Sequence, residues 1–133
     1  MEYKRKIYGY DCDIYGHLNN ANYLHIYEEA RADALEKMNL SVRELNELGI
    51  NIYLTHIDLE FIKGIPLEEN VIVKTYVSKA NRLKSVWRHE IYNHYNELCS
   101  VSIVEGVFIK NRKPYRIPSE LFHRLQKYII RSK

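Results

Sequence analysis

The fold of this chain is decided by residues 10–31, which have the sequence YDCDIYGHLNNANYLHIYEEAR. The first half is polar and contains a single glycine, Gly16, which indicates a loop. The second half has helical spacing, because apolar residues recur at steps of three and four from Tyr23 onward. Backbone N–H groups at a helix start are unpaired and favour negative charge. We therefore expect the loop and the helix start to form the functional site.

A long helix is predicted over residues 20–38, with Asn19 and Asn20 as candidates for its N-cap. Its apolar stripe consists of Tyr23, Tyr27, Ala30, Ala34 and Met38, with Leu24, Arg31 and Leu35 beside it. Glu28 and Arg31 are three residues apart, so we expect an ordinary helical ion pair between them, with contact to the substrate as the alternative. A helix with one apolar stripe needs a partner surface that buries the stripe.

Most of the remaining chain alternates apolar and polar residues, which is typical of β-strands. The predicted strands are residues 3–10, 51–62, 70–79, 84–95 and 98–110, and two more helices are predicted at residues 41–48 and 119–130. The odd-numbered residues from Tyr53 to Phe61 are expected to share one face of their strand. Short connections make the last four strands antiparallel.

A sheet with one apolar face buries a striped helix most simply by curling around it. We therefore predict an α+β fold in which a curled antiparallel five-stranded sheet wraps a long central helix, followed by a C-terminal helix. A length of 133 residues is suited to a single domain over residues 1–133 with its own core. The uncovered sheet edge predicts a homo-oligomer, either a dimer or a tetramer.

Composition and charge argue against several classes of protein. A net charge of +3 is too small to require a nucleic-acid partner, and no aromatic and basic platform is evident. The N-terminal MEYKRK is not followed by an apolar run, so we expect no secretory signal and no stable membrane insertion. Two cysteines predict reduced thiols and a cytoplasmic location. The histidines lack the spacing of a metal site, so no metal is expected.

The run Asp-x-Asp-x-x-Gly-His-x-Asn-Asn-x-x-Tyr begins at Asp11 and ends at Tyr23. Together with the element order, this run resembles the hotdog-fold 4-hydroxybenzoyl-CoA thioesterase family, which includes bacterial short-chain acyl-CoA thioesterases. The resemblance covers nearly the whole chain by element order and is motif-specific over residues 10–31. It implies a hotdog fold and hydrolysis of acyl-CoA to a carboxylic acid and CoA. It also implies no cofactor, since coenzyme A is part of the substrate.

The resemblance assigns roles to three residues of the motif. The family's catalytic aspartate lies three residues before the glycine and corresponds to Asp13, which either attacks the thioester carbonyl or activates a water. The backbone N–H of Asn20 is the counterpart of the family's carbonyl-polarising donor. His17 is a further catalytic candidate whose role stays open. From the residues alone, Asp13 is also explained as a turn residue whose carboxylate binds backbone N–H groups.

The other candidates are expected to bind the substrate. Four lie in the loop and the helix, namely Gly16, Asn19, Tyr23 and Tyr27. Two basic clusters are candidates for the phosphates of coenzyme A, with solvated surface as the alternative: Arg82, Lys84 and Ser85, and Arg112, Lys113 and Arg116. Asp11 is expected to stabilise the loop, and Cys12 to take no part in the chemistry.

Two other functions fit the same sequence. A thioesterase acting on acyl carrier protein would use the same residues and a wider basic surface for its acidic partner. A non-catalytic acyl-CoA-binding protein would not need Asp13. Acyl-chain preference is left open, because pocket depth is expected to depend on side chains from two subunits.

Overall fold

The structure is a computed structural model that describes residues 1–130 of the chain. The elements, in chain order, are β1 (Glu2–Lys6), α1 (Asn22–Lys37), α2 (Val42–Glu47), β2 (Asn51–Phe61), β3 (Asn70–Ala80), β4 (Lys84–Tyr92), β5 (Leu98–Lys110), β6 (Lys113–Pro114) and α3 (Ser119–Gln126). A single 3₁₀ turn, Gly9–Asp11, lies between β1 and α1.

The five long strands form one antiparallel sheet in the order β1-β3-β4-β5-β2. The two-residue strand β6 pairs with the end of β5. Both β1 and β2 are therefore edge strands, and β2 pairs on one side only. The predicted α+β architecture, with a five-stranded sheet curled around a long helix and a C-terminal helix, is confirmed.

Helix α1 buries its apolar stripe in two separate clusters. Tyr23, Ile26, Tyr27 and Ala30 of its first half pack with Ile7, Leu18, Val73 and Ile91. Ala34, Leu35 and Met38 of its second half pack with α2, α3, Val77, Trp87 and Val104. Fully burying an aliphatic side chain such as Ile26 stabilises the fold by about 1.5–3 kcal/mol. The helix is held over most of its length by contacts that are distant in sequence.

A row of polar residues separates the two clusters on the inner face of the sheet. Thr75 on β3 is paired with His89 on β4, and His89 is paired with Ser102 on β5. All three side chains are buried. We call these residues the polar row. Polar groups are costly to bury unless they are hydrogen-bonded, so this row needs a physical reason for its place in the core.

The chain around the start of α1 differs from the sequence-based prediction. Strand β1 ends at Lys6 rather than at residue 10, because the Asp11 carboxylate accepts a hydrogen bond from the Tyr8 N–H and draws the chain into the 3₁₀ turn. The N-cap of α1 is Ala21 rather than Asn19 or Asn20. The Asn19 side chain still contributes there, since its Oδ1 accepts a hydrogen bond from the Ala21 N–H at 3.0 Å.

Strand β2 also departs from the prediction that its odd-numbered residues share one face. A bulge between Leu54 and His56 shifts the register against β5 and reverses the alternation. As a result Ile52 and Leu59, which differ in parity, both pack against the core. Tyr53 and Phe61, which were expected to share one face with Leu59, are instead about half exposed, at 55% and 51%.

Two elements are shorter than predicted. Strand β4 ends at Tyr92, just after a bulge shifts its register against β5, and residues 93–97 form the turn. Helix α3 ends at Gln126 rather than near residue 130. Beyond it the Ile130 N–H donates to the Val77 carbonyl, so this segment runs along β3 instead of continuing the helix.

Candidate active site

The loop before α1 is a narrow hairpin in which residues pair across the turn. The Asp13 N–H donates to the His17 carbonyl at 2.9 Å, and the Asn19 N–H donates to the Asp11 carbonyl at 2.9 Å. Gly16 closes the turn with a φ of +76°, a conformation that favours glycine. The pairing places Asp13 and His17 opposite each other across the turn.

Asp11 anchors this loop to the rest of the fold. Its carboxylate is buried and forms two hydrogen bonds with the Arg5 guanidinium, at 2.7 and 3.1 Å. Arg5 also binds Glu29 of α1 at 2.8 Å. The Asp11 carbonyl accepts a further hydrogen bond from the Asn22 side chain. The hydrogen bonds from Arg5 hold the pKa of Asp11 below its ordinary value. The expected loop-stabilising role of Asp11 is confirmed.

The Asp13 carboxylate uses only one of its two oxygens within the fold. Oδ1 accepts hydrogen bonds from the Tyr15 N–H at 2.9 Å and the His17 N–H at 3.4 Å. Asp13 therefore binds backbone N–H groups of its own turn, which is the structural role that the sequence offered as an alternative to catalysis. Oδ2 accepts no hydrogen bond from residues 1–130, and the side chain is half-buried. The carboxylate is therefore oriented by the backbone while keeping one oxygen available for chemistry.

The start of α1 offers a backbone donor at Asn20. The N–H groups of Asn19, Ala21 and Asn22 each donate to an acceptor in the loop. The Asn20 N–H has no acceptor in the part of the chain that the structure describes, and Asn20 is exposed. An unpaired N–H at a helix start is suited to stabilising an oxygen that gains negative charge.

His17 and Cys12 lie in the same loop with different surroundings. The His17 imidazole is exposed and packs over Gly64, where an added Cβ would lie 3.3 Å from its Cδ2. Burial, reinforced by the negative charges of Asp11 and Asp13, raises the pKa of the Cys12 thiol. A raised pKa keeps the thiol protonated and unreactive, which supports the interpretation of Cys12 as a bystander.

Tyr23 and Tyr27 are both buried on the side of α1 that faces the sheet. The Tyr23 ring packs edge-on against Phe61 with 4.9 Å between ring centroids, and burial raises its pKa to about 12. The Tyr27 hydroxyl donates to Ser100 at 2.6 Å, and burial raises its pKa as well. Both side chains are therefore neutral phenols at neutral pH. Tyr27 also lines a cavity between α1 and the sheet.

Two cavities lie along α1, on the side that faces β2 and β5. The first, of about 330 Å³, is lined by residues that include Leu24, Tyr27, Arg31, Ile57, Ser102 and Val104, and we call it the Arg31 cavity. The second, of about 270 Å³, extends past Leu35 to Trp87. Both are lined by Glu28, Arg31 and Leu54. Asp13 lines neither, so the cavities are candidates for the acyl group rather than for the reacting bond.

Arg31 does not form the ion pair that its spacing predicted. Its Nη1 lies 3.3 Å from His89 Nε2, and its guanidinium forms no ion pair with a carboxylate of residues 1–130, Glu28 included. Burial lowers the pKa of Arg31, although the charge of Glu28 acts in the opposite direction. The sequence leaves contact with the substrate as the alternative to this ion pair for Arg31. The available signal was a charged residue four positions after Tyr27 and four before Leu35, on the apolar side of the helix.

The two basic clusters, predicted as separate, lie next to each other. Arg82 Nε donates to the Ile117 carbonyl at 2.7 Å, and the Ile117 N–H donates to the Arg82 carbonyl at 2.9 Å. These bonds bring the β3–β4 turn beside the segment that carries the second cluster. Arg112, Lys113 and Arg116 are exposed there, as are Arg82 and Lys84. We call these five residues the basic surface.

Ser85 differs from its neighbours in this region. Its side chain is buried, and its hydroxyl accepts a hydrogen bond from Trp87 Nε1 at 2.9 Å. Ser85 and Lys84 both line a further cavity, of about 480 Å³, to which β2, β3 and β5 also contribute residues. The hydroxyl therefore contributes to the packing of Trp87, whereas the Lys84 ammonium is free to meet a ligand.

A curled antiparallel sheet around a long helix, with a carboxylate loop at the start of that helix, defines a thioesterase of the hotdog class. The chain belongs to the Thioesterase-like superfamily, whose profile matches residues 9–125. The prediction of a hotdog thioesterase is therefore confirmed at the level of the superfamily.

Individual relatives share this fold at modest sequence identity. The chain is 24% identical to the long-chain acyl-CoA thioesterase FadM of Escherichia coli, over 97% of this chain and 99% of FadM. It is 24% identical to the chloroplastic acyl-acyl carrier protein thioesterase ATL3 of Arabidopsis thaliana, over 90% of this chain and 64% of ATL3. The DHNA-CoA thioesterase structure from Staphylococcus aureus superposes with a TM-score of 0.87 at 29% identity, covering 95% of this chain and 90% of that one. Within residues 1–130, no helix is long and apolar enough to cross a membrane.

Proposed function

We propose that the protein hydrolyses the thioester bond of acyl-CoA, with Asp13 as the reacting carboxylate. The observation that carries this proposal is the loop of residues 11–20, which offers an oriented carboxylate oxygen on Asp13 and an unpaired N–H on Asn20. Thioester hydrolysis needs both groups, since one supplies or activates the nucleophile and the other stabilises the oxygen that gains charge.

Two routes are open to Asp13. As a general base it removes a proton from water, and the resulting hydroxide attacks the carbonyl carbon. The tetrahedral intermediate then expels the thiolate of CoA, which takes up a proton. As a nucleophile, a carboxylate oxygen of Asp13 attacks the carbonyl carbon and expels the thiolate, and water hydrolyses the mixed anhydride that remains. In both routes the Asn20 N–H donates to the carbonyl oxygen, and one such donor contributes roughly 3 kcal/mol by mutational precedent.

Coenzyme A is the favoured carrier of the acyl group. Two relatives reported above are named as acyl-CoA thioesterases, FadM for long-chain acyl groups and the Staphylococcus aureus protein for DHNA-CoA. The second of these, with an aromatic acyl group, supports the proposed membership in the 4-hydroxybenzoyl-CoA thioesterase family. The basic surface is suited to the phosphates of coenzyme A, because Arg and Lys bind phosphate by charge-assisted hydrogen bonds.

An acyl carrier protein thioester is the second candidate substrate. The relative ATL3 is named as an enzyme of this kind, although the chain covers 64% of its length. The same basic surface would then meet an acidic protein. Comparing kcat/KM for one acyl group on the two carriers separates the candidates, and a strong preference for the carrier protein would reverse our ranking.

A homodimer formed through β2 fits the exposed side of the sheet. Strand β2 pairs with β5 on one side and presents its other edge to solvent. Its exposed apolar residues are Tyr53, Leu54, Ile57 and Phe61, followed by Ile62. An unpaired edge with apolar side chains is a surface that a second copy would cover by extending the sheet. A tetramer of such dimers and a cytoplasmic location stay predictions.

The central experiment compares Asp13→Asn with the unmodified protein on a panel of acyl-CoA substrates. Loss of the carboxylate is expected to lower kcat by roughly 100- to 10,000-fold, the usual contribution of a positioned acid or base. Asp33→Asn is the matched control, since Asp33 lies on α1 and pairs with Lys37. Equal rates for Asp13→Asn and the unmodified protein would remove Asp13 from the mechanism. Tight acyl-CoA binding without turnover by the unmodified protein would favour a binding function instead.

A further inference from the structure

The polar row and Arg31 place hydrogen-bonding groups in the middle of an apolar core. Apolar clusters lie on both sides of the row, with Val73, Ile91 and Cys99 on one side and Val77, Trp87 and Val104 on the other. The Arg31 side chain extends from α1 to the polar row, where it contacts His89. Burying polar or charged groups costs free energy unless they are paired, and apolar side chains would fill this core without that cost. We therefore look for a partner or a function of these polar groups.

Both ring nitrogens of His89 have hydrogen-bond partners within the fold. An arginine can only donate, so His89 Nε2 accepts from Arg31 Nη1 at 3.3 Å. His89 Nδ1 therefore carries the proton and donates to Thr75 Oγ1 at 3.0 Å. Burial lowers the pKa of His89 to about 3, which keeps this imidazole neutral. The neutral ring orients Arg31 without balancing its charge.

Ser102 is the member of the row without a partner. Its hydroxyl is fully buried and forms no hydrogen bond with residues 1–130. It lines the Arg31 cavity together with the guanidinium, of whose five N–H groups His89 occupies one. The wall of the cavity thus contains a buried hydroxyl without a partner and a positive charge whose hydrogen-bonding capacity is mostly unused by the described chain.

We propose that the Arg31 cavity binds a carboxylate at the far end of the acyl group, so that the preferred substrates are thioesters of dicarboxylic acids. This inference rests on the proposed function, because it assigns the acyl group of that reaction. A carboxylate accepts two parallel hydrogen bonds from a guanidinium and can accept a third from the Ser102 hydroxyl. A buried charge is costly without a counter-charge, and such a ligand supplies it.

The position of the cavity along α1 suits this assignment. Arg31 lies nine residues beyond Asn22, which is about 14 Å along the helix axis at 1.5 Å per residue. Helical side chains point back toward the N-terminus, so the guanidinium lies closer to the helix start than its Cα does. Leu24 and Tyr27 line the cavity in between and would contact the methylene chain. Glu28 also lines it, but this side chain is exposed, so solvent screens its repulsion of an anion.

The test compares acyl-CoA substrates that differ only at the far end. Straight-chain acyl-CoA thioesters of four to ten carbons are paired with the ω-carboxyl thioesters of the same length, and kcat/KM is measured for each. The unmodified protein is expected to favour the carboxylated member about tenfold or more at the best length. Arg31→Met should abolish this preference, so that the two members of each pair are hydrolysed with similar kcat/KM, and Ser102→Ala should weaken it severalfold.

Arg43→Met, which removes an exposed arginine on α2, is the matched control and should keep the preference. Thermal unfolding and sedimentation of each variant report on folding and on assembly. An Arg31→Met variant that keeps the same preference, or an unmodified protein that prefers the uncharged acyl group, would overturn the inference while leaving thioesterase activity in place. A change of oligomeric state in Arg31→Met with unchanged substrate preference would also overturn it, since a second copy would then be the partner of Arg31. Absence of hydrolysis of every acyl-CoA would instead contradict the proposed function.

Discussion

The Arg5 guanidinium and the Asp11 carboxylate form a two-point ion pair, with Nη1–Oδ2 at 2.7 Å and Nη2–Oδ1 at 3.1 Å. Arg5 lies on edge strand β1, and Asp11 begins the loop that carries Asp13. The Asp11 carbonyl meanwhile accepts the Asn19 N–H, one residue before the proposed carbonyl-polarising donor. The pair therefore links the edge of the sheet to both proposed catalytic groups.

Replacing Asp11 by Asn is expected to destabilise the fold by about 1.5–3 kcal/mol, because it removes the charged partner of two Arg5 hydrogen bonds and leaves Arg5 paired with Glu29. The pKa of Asp11 is lowered in the folded state, so its contribution is present above the ordinary pKa of about 3.9 and is lost as the pH falls through the folded pKa. Urea unfolding between pH 7 and pH 2.5 measures both effects. A loss of stability in Asp11→Asn that stays the same across this range would contradict the role of the ion pair.

His89 is expected to make the fold acid-sensitive over a higher pH range. Its pKa is about 3 in the folded state because of burial first and the Arg31 charge second, whereas an unfolded histidine titrates near 6.5. Stability should therefore fall by up to roughly 1.4 kcal/mol per pH unit as the pH drops from about 6.5 toward 3. His89→Gln should flatten the dependence of unfolding free energy on pH in this window. His56→Gln removes an exposed imidazole and is the control; equal pH slopes for the two variants would argue against a neutral His89.

Asn20 is expected to contribute through its backbone rather than its side chain. Asn20→Ala keeps the N–H and should change kcat by less than about threefold, since the side chain forms no hydrogen bond within residues 1–130. Asn20→Pro removes the N–H and should lower kcat by roughly 100-fold or more. Circular dichroism verifies that both variants fold. Similar kcat values for the two variants would assign the carbonyl-polarising role to another donor.

The exposed edge of β2 is expected to form the interface of a homodimer. Ile57→Lys places a charge among the exposed apolar residues of this strand and should shift the protein toward monomer in sedimentation velocity experiments. Tyr128→Lys alters an exposed residue beside β3, which β4 and β5 separate from β2 in the sheet, and should leave the assembly unchanged. A dimer that survives Ile57→Lys at the same concentration would place the interface elsewhere.

The sequence by itself determined the architecture and the loop that carries the proposed chemistry. Helix α1, the succession of helices and strands along the chain and the tight turn at Gly16 follow from local spacing and turn chemistry, which depend on neighbours a few residues away. The motif from Asp11 to Tyr23 pointed to the thioesterase superfamily, and the match over residues 9–125 confirmed it.

Only the tertiary structure decided which polar groups meet in the core. The bulge in β2, the pairing of Thr75 with His89 and Ser102, and the contact of Arg31 with His89 all join residues that are distant in sequence. A spacing of three predicted that Arg31 would pair with Glu28, yet the helix turns Arg31 toward the buried row and leaves Glu28 in solvent. Such partners depend on strand register and on how the sheet packs against α1, and local periodicity carries no information about either.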